Sequence, residues 1–210
     1  NTKYYYTVKA YYSGSYSYYN TKGAACSYLA APVVKTENAT SGVKVSWGKV
    51  GGAKKYIVYR KAGSAKSWTK IATTTSTSYT DKNVKSGTYY KYTVKAVNGS
   101  YASTFMATSG LLYLAQPTVK AAEAANGINV SWNKVAGAKN YVVYRSEYVN
   151  GAWTGWTKKG TLASSKLSWV DTELAGGAKY RYTVKAVNGK ASSSFKASAG
   201  VTVTEASVSN

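Results

Sequence analysis

Seven carboxylates, one thiol and no imidazole are all that this chain offers for acid–base or nucleophilic chemistry. The acids are Glu37, Asp81, Glu123, Glu147, Asp171, Glu173 and Glu205. Asp171 and Glu173 form the one close pair, and a general acid–base dyad would need a cleft around both carboxyls. Asp81 and Asp171 fall at matching positions of a repeat, each after a short strand, which points to a turn role. Cys26 has no histidine to activate it and no second cysteine to pair with. No group of carboxylates has the ligand spacing of a calcium loop. The expectation is a non-enzyme with no catalytic residue, no cofactor and no metal.

Aromatic side chains are the other source of specific chemistry. Tyr contributes 22 residues and Trp 6, against 2 Phe and 1 Met. A displayed aromatic ring can anchor a protein partner or stack on a sugar ring. The candidate ligand contacts are Tyr148, Trp153, Trp156 and Tyr144, with Tyr59 and Trp68 in the first copy of the repeat. Tyr148 and Trp153 lie in SEYVNGAWTG (146–155), a loop longer than its counterpart KAGSAKS (61–67). The competing reading folds Trp153 back onto its own sheet. Trp68 and Trp156, in SWTK and GWTK, are expected to cover a sheet face near Arg60 and Arg145, a cation–π contact of about 0.5–1 kcal/mol if exposed.

The charge balance is 28 Lys+Arg against 7 Asp+Glu, a formal net charge of +21. Arg, the residue suited to bidentate readout of phosphates and bases, occurs only at 60, 145 and 181. The field is therefore diffuse. It suits polyanionic cell-wall polymers or glycans better than a specific nucleic-acid site. No window of eighteen apolar residues exists, so no membrane insertion through a helix is expected. The chain starts at Asn1 without Met, and is expected to be a piece of a longer protein with targeting and anchoring segments elsewhere.

These residues are positioned by a repeat. GVKVSWGKV (42–50) matches GINVSWNKV (127–135), AKKYIVYR (53–60) matches AKNYVVYR (138–145), and YKYTVKAVNG (90–99) matches YRYTVKAVNG (180–189). A third, partial copy opens the chain: YYYTVKAYYSGSY (4–16) resembles 90–101, and SYLAAP (27–32) resembles LYLAQP (112–117). Apolar and polar residues alternate within each segment, as in Val43, Val45 and Trp47 against Lys44 and Ser46. Turn dipeptides such as Ser41-Gly42, Ser86-Gly87 and Asn98-Gly99 separate the runs. Short alternating strands with frequent turns imply an antiparallel sandwich.

A Trp on the second strand, a Y-x-V pair on the third and G-x-x-Y-x-Y-x-V-x-A-x-N on the sixth resemble a fibronectin type III module. Residues 87–98 and 177–188 carry the sixth-strand pattern. The resemblance implies an all-β fold of tandem immunoglobulin-like sandwiches, about seven strands each. Tyr90 and Tyr180 would stand at the tyrosine corner, with their hydroxyls bonded to nearby backbone. In the first copy, A would follow Pro32, B would end at Trp47 and C would run through Tyr56–Lys61. Trp68–Thr73 would be C′, Ser78–Thr80 E and Tyr89–Val97 F, with G from about Ser103 toward Gly110. The expected domains are 1–31, the F–G half of a preceding module; 32–116 and 117–206, two complete modules; and 207–210, a tail. A short apolar linker, Leu111–Gln116, is expected to bury side chains at the junction and make a semi-rigid rod.

The Lys-, Thr-, Ser- and Tyr-rich style resembles modules of surface or secreted proteins of Gram-positive bacteria. The functional expectation is an extracellular or cell-surface binding and adhesion region, monomeric in isolation. Its partner would be a host protein or glycoprotein such as immunoglobulin or mucin. Two alternatives stand beside it: a semi-rigid spacer between domains of a secreted or cell-wall enzyme, and a carbohydrate- or polyanion-binding module.

Overall fold

The computed structural model describes residues 2–203. Glu205, the last residues of the second expected module and the tail at 207–210 lie outside them. Every regular element among the described residues is a β-strand. No helix there is long and apolar enough to cross a membrane.

The N-terminal strands are β1 (Thr2–Tyr6), β2 (Tyr11–Tyr12), β3 (Ser15–Tyr16) and β4 (Ala24–Tyr28). β1 and β4 pair antiparallel, with Tyr4 opposite Cys26, and β2 and β3 form a small hairpin. The repeat makes Tyr4, Tyr6 and Val8 counterparts of Tyr90, Tyr92 and Val94. The three later residues are buried, whereas Tyr4, Tyr6 and Val8 are exposed.

The next strands are β5 (Val34–Ala39), β6 (Gly42–Trp47), β7 (Lys55–Ala62), β8 (Thr69–Thr74), β9 (Ser78–Asp81), β10 (Thr88–Asn98), β11 (Tyr101–Ala102) and β12 (Leu111–Tyr113). One sheet has the order β5-β6-β9 and the other β11-β10-β7-β8, with β12 also on β10. The last strands are β13 (Val119–Ala124), β14 (Gly127–Trp132), β15 (Asn140–Val149), β16 (Ala152–Trp153), β17 (Thr157–Ala163), β18 (Ser168–Asp171), β19 (Lys179–Asn188), β20 (Ala191–Ser192) and β21 (Val201–Thr202). They repeat the plan, with β13-β14-β18 in one sheet and β16-β15-β19-β20 in the other, β17 adding to β15 and β21 to β19. These are tandem immunoglobulin-like sandwiches of the fibronectin type III arrangement.

The described residues group into two compact units. One gathers residues through 35, 45–79 and 91–109; the other gathers 36–44, 80–90 and 110 onward. In the second unit Ile128, Val130, Trp132, Tyr141, Val143 and Val184 are among the buried residues of one core cluster. Alternation puts them there: every second residue of β14, β15 and β19 faces inward. In the first unit the Trp47 and Tyr56 rings meet edge to face with centroids 5.4 Å apart, and in the second Trp132 and Tyr141 lie at 5.5 Å. The indole Nε1 atoms of Trp47 and Trp132 are buried without a protein partner, so both residues contribute through packing. The tyrosine corners form as expected: the Lys85 N–H donates to the Tyr90 hydroxyl oxygen at 2.8 Å, and the Ala175 N–H to that of Tyr180 at 3.2 Å.

Two expectations need correction. Strand G does not run from Ser103 toward Gly110, and Leu111–Tyr113 is not linker. β11 ends at Ala102, and β12 pairs with β10 through Tyr89 opposite Leu112. Between them, side-chain hydroxyls stand in for the ladder. Ser103 Oγ accepts from the Ala96 N–H at 3.0 Å, and Thr108 Oγ1 accepts from the Tyr92 N–H at 3.0 Å. The second copy does the same with Ser193 on Ala186 and Ser198 on Tyr182, both at 3.0 Å. The N–H groups of Tyr92, Ala96, Tyr182 and Ala186 are thus satisfied without a regular partner strand. Leu112 and Leu114 are buried in the core cluster of the second unit.

Candidate functional site

The acidic pair separates into two structural roles. Asp171 has no exposed surface. Its Oδ1 accepts from the Glu173 N–H at 3.3 Å, an Asx turn, and Asp81 Oδ1 accepts from the Asn83 N–H at 3.1 Å in the same way. Asp171 Oδ2 accepts from Arg145 Nη1 and from the Tyr182 hydroxyl, each at 2.9 Å. Burial opposes the Arg145 charge, but the Asp171 carboxylate outweighs it and raises the pKa. Burial, then the Asp171 charge, pushes the Tyr182 phenol well above its ordinary range. The Glu173 carboxylate points instead to solvent and pairs with Lys159, which lowers its pKa. The two carboxyls share no cleft.

Arg145 also corrects an expectation. The ring its cation meets is Tyr180 and not Trp156. Its guanidinium stacks on the Tyr180 ring at 4.9 Å while bonding Asp171, so it links the β15–β19 sheet to β18 of the other sheet. The cation over Trp156 is Arg181, 5.0 Å from the ring, and Lys61 lies 5.7 Å from Trp68.

The segment expected as a long loop at 146–155 is a β-hairpin. β15 runs on to Val149, and Asn150 and Gly151, both at positive φ, make the turn into β16. Asn-Gly is the dipeptide that a type I′ hairpin turn demands, and that was its sequence signal. Tyr148 pairs across the hairpin with Trp153, ring centroids 5.2 Å apart. Thr154 closes the base: its N–H donates to Glu147 O at 2.8 Å, and its Oγ1 accepts from the Glu147 N–H at 3.0 Å. Trp153 is half-buried against its own sheet. The Arg181 guanidinium lies 4.5 Å from its ring, and Gly200 leaves the space its ring edge occupies. Arg181 thus stands between two indoles, Trp153 and Trp156, with its Nε directed to Ser146 Oγ at 3.4 Å.

Beside this stack lies a shallow cavity of about 200 Å³ lined by Tyr144, Trp156, Thr183, Lys185 and Phe195. Trp156 and Phe195 meet edge to face at 5.8 Å, and Lys185 Nζ lies 4.9 Å from the Phe195 ring and 5.9 Å from the Tyr144 ring. Local structure places each of these. A β-bulge between Val143 and Tyr144 re-aims Tyr144. Thr183 and Lys185 alternate with core-facing Tyr182 and Val184 on β19. The hydroxyl-tethered stretch between Ser193 and Ser198 lays Phe195 on the outer face, held by Thr183 Oγ1 donating to Lys196 O at 3.0 Å.

The first unit carries the same set. A bulge falls between Val58 and Tyr59, and Trp68 and Phe105 meet edge to face at 6.0 Å. Lys95 lies 5.3 Å from the Phe105 ring, and Thr93 Oγ1 donates to Met106 O at 3.0 Å. Sequence reasoning selected Tyr59, Trp68, Tyr144 and Trp156 but missed Phe105, Phe195, Lys95, Lys185 and Arg181. The signal for the phenylalanines was present, because STF (103–105) and SSF (193–195) follow the matching sixth-strand segments.

No family model matches the chain. Exoglucanase B of Cellulomonas fimi is 31% identical over 150 residues, which is 62% of this chain and 12% of that protein. The chain thus spans a small part of the curated relative it matches. Among solved structures, a two-domain fibronectin type III segment of chicken tenascin is similar with a TM-score of 0.41 and 18% identity, covering 82% of this chain and 99% of that one. The FN1–FN3 domains of chicken CNTN1 give 0.37 and 18%, covering 97% and 78%. The chicken interferon gamma receptor alpha chain gives 0.46 and 13%, covering 83% and 98%. The strand order of the two sandwiches, rather than these likenesses, defines the fold.

Proposed function

We propose that this chain is a non-catalytic extracellular segment of a bacterial protein, and that its tandem sandwiches, divided near Pro32 and Pro117, act as a spacer between other domains. The observation that carries this reading is the use to which the chemistry-bearing residues are put. Asp171, Arg145 and Tyr182 satisfy one another inside the sandwich, and Glu173 pairs outward with Lys159. The similarity to part of an exoglucanase supports a place beside a polysaccharide-acting domain. The purified chain should release no reducing ends from cellulose or soluble β-glucans over long incubation. Turnover that co-purifies with the chain would contradict the reading.

A host-contact role draws support from the β15–β16 hairpin, where Tyr148 and Val149 are each 43% exposed. In that role immunoglobulin or mucin would bind the whole chain in high salt, and Tyr148→Ala would weaken the complex about tenfold, the loss of one well-placed aromatic contact. Silence of both proteins in high salt leaves the spacer as the better account.

A further inference from the structure

We propose that each sandwich carries a shallow site for an acidic sugar residue on the outer face of its larger sheet, walled by Trp and Phe and charged by one Lys, at Trp156, Phe195 and Lys185 in one copy and Trp68, Phe105 and Lys95 in the other. This goes beyond the spacer reading and does not depend on it.

The lining decides the ligand class. In the second copy the walls are the rings of Tyr144, Trp156 and Phe195, and the charged lining residue is the Lys185 ammonium. Flat ring faces favour the C–H face of a pyranose, and an ammonium held at ring distance favours a carboxylate on that sugar. A neutral sugar would leave Lys185 without a counter-charge, and a bare phosphate or sulfate would leave the rings without a partner. A uronate uses both. The net charge of +21 favours a polymer of such residues over a single one.

The second copy of the set is an independent observation. On these strands the two repeats differ at several outward positions: Tyr89 against Lys179, Lys91 against Arg181, Met106 against Lys196. At the same time they keep Tyr59 and Tyr144, Trp68 and Trp156, Thr93 and Thr183, Lys95 and Lys185, Phe105 and Phe195. The Trp–Phe centroid distances, 6.0 and 5.8 Å, and the Lys–Phe distances, 5.3 and 4.9 Å, agree closely. Both threonines are about 1% exposed and hold the segment that delivers the phenylalanine. In the second copy Tyr144, Trp156 and Phe195 lie outside the core cluster and the side chains packed against it. Two sites on one chain would also raise the apparent affinity for a polymer.

The test is calorimetric titration of the whole chain with oligogalacturonate and, as control, a neutral cello-oligosaccharide of equal length, in low and high salt. Oligogalacturonate should bind and the neutral oligomer should bind at least about tenfold more weakly. Trp156→Ala and Trp68→Ala should each weaken binding about tenfold, and the double variant more. Lys185→Gln with Lys95→Gln should remove the preference for the acidic oligomer; these half-buried outer-face changes leave the core untouched and serve where a Trp variant loses stability. Absence of oligogalacturonate binding overturns the proposal, as does equal binding of the neutral oligomer. Binding that vanishes in high salt and ignores both Trp variants reduces the effect to diffuse charge and overturns it too. None of these outcomes affects the spacer reading, which fails on turnover.

Discussion

The Tyr182 hydroxyl donates to Asp171 Oδ2 at 2.9 Å, on the same oxygen that Arg145 Nη1 reaches at 2.9 Å, and Asp171 has no exposed surface. One buried negative charge is therefore held by one cation and two neutral donors, the Tyr182 hydroxyl on Oδ2 and the Glu173 N–H on Oδ1. Removing a single member leaves the others uncompensated, which is where buried pairs become costly. Asp171→Ala is expected to destabilise the sandwich by about 3–5 kcal/mol, and Tyr182→Phe by about 1.5–3 kcal/mol, read from urea midpoints at constant m-value. An Asp171→Ala midpoint within error of the parent would show that the triad contributes nothing.

The same contact sets an alkaline limit. The folded-state pKa of Tyr182 is raised above its ordinary value of 10.0. The folded state therefore holds a proton that the unfolded chain releases near that value. This stability is fully present below about pH 10 and is lost as pH rises toward the folded pKa. Between neutral pH and pH above about 10, the parent should lose more unfolding free energy than Tyr182→Phe. Parallel losses in the two proteins would contradict the linkage.

Gly127 has φ +130°, and a Cβ there would stand 2.0 Å from the Asp171 carbonyl oxygen. Gly42 repeats this against Asp81, also at 2.0 Å. Backbone rather than a flexible side chain is in the way, so the ladder must open. Gly127→Ala should cost at least about 1–3 kcal/mol of backbone strain, whereas Gly155→Ala, which meets open space, should change the midpoint little. Thermal unfolding of the two variants side by side checks the contrast.

Gly200 leaves room for Trp153: a Cβ would stand 3.1 Å from two atoms of its ring edge and 2.7 Å from Lys179 Cε. Lys179 can swing away, so the ring bears the change. Gly200→Val is expected to dislodge Trp153 from the sheet and red-shift the tryptophan fluorescence with little loss of stability. An unchanged spectrum would mean that Trp153 does not rest on Gly200.

Period-two alternation made most of this fold legible, because burial on one face writes itself into every second residue of β6, β7, β10, β14, β15 and β19. The Trp47 and Trp132 cores followed from it, while both tyrosine corners followed from the resemblance to a fibronectin type III module. The last strand of each sandwich did not. Ser103, Thr108, Ser193 and Ser198 pair through their hydroxyls, and alternation carries no trace of side-chain oxygens replacing backbone acceptors. That omission hid Phe105 and Phe195 and with them half of the aromatic face. Likewise Arg145 and Arg181 are indistinguishable by residue type. Only the register of β15 and β19 turns one toward Asp171 and the other between Trp153 and Trp156.

Trp47 and Trp132 build cores, whereas Trp68 and Trp156 wall the proposed sugar sites. Indole N–H signals of the whole chain, followed by NMR during titration with oligogalacturonate in moderate salt, test this directly. The Trp68 and Trp156 signals should shift together and saturably while those of Trp47 and Trp132 stay fixed. Shifts confined to the core indoles, or no saturable shift at all, would contradict it.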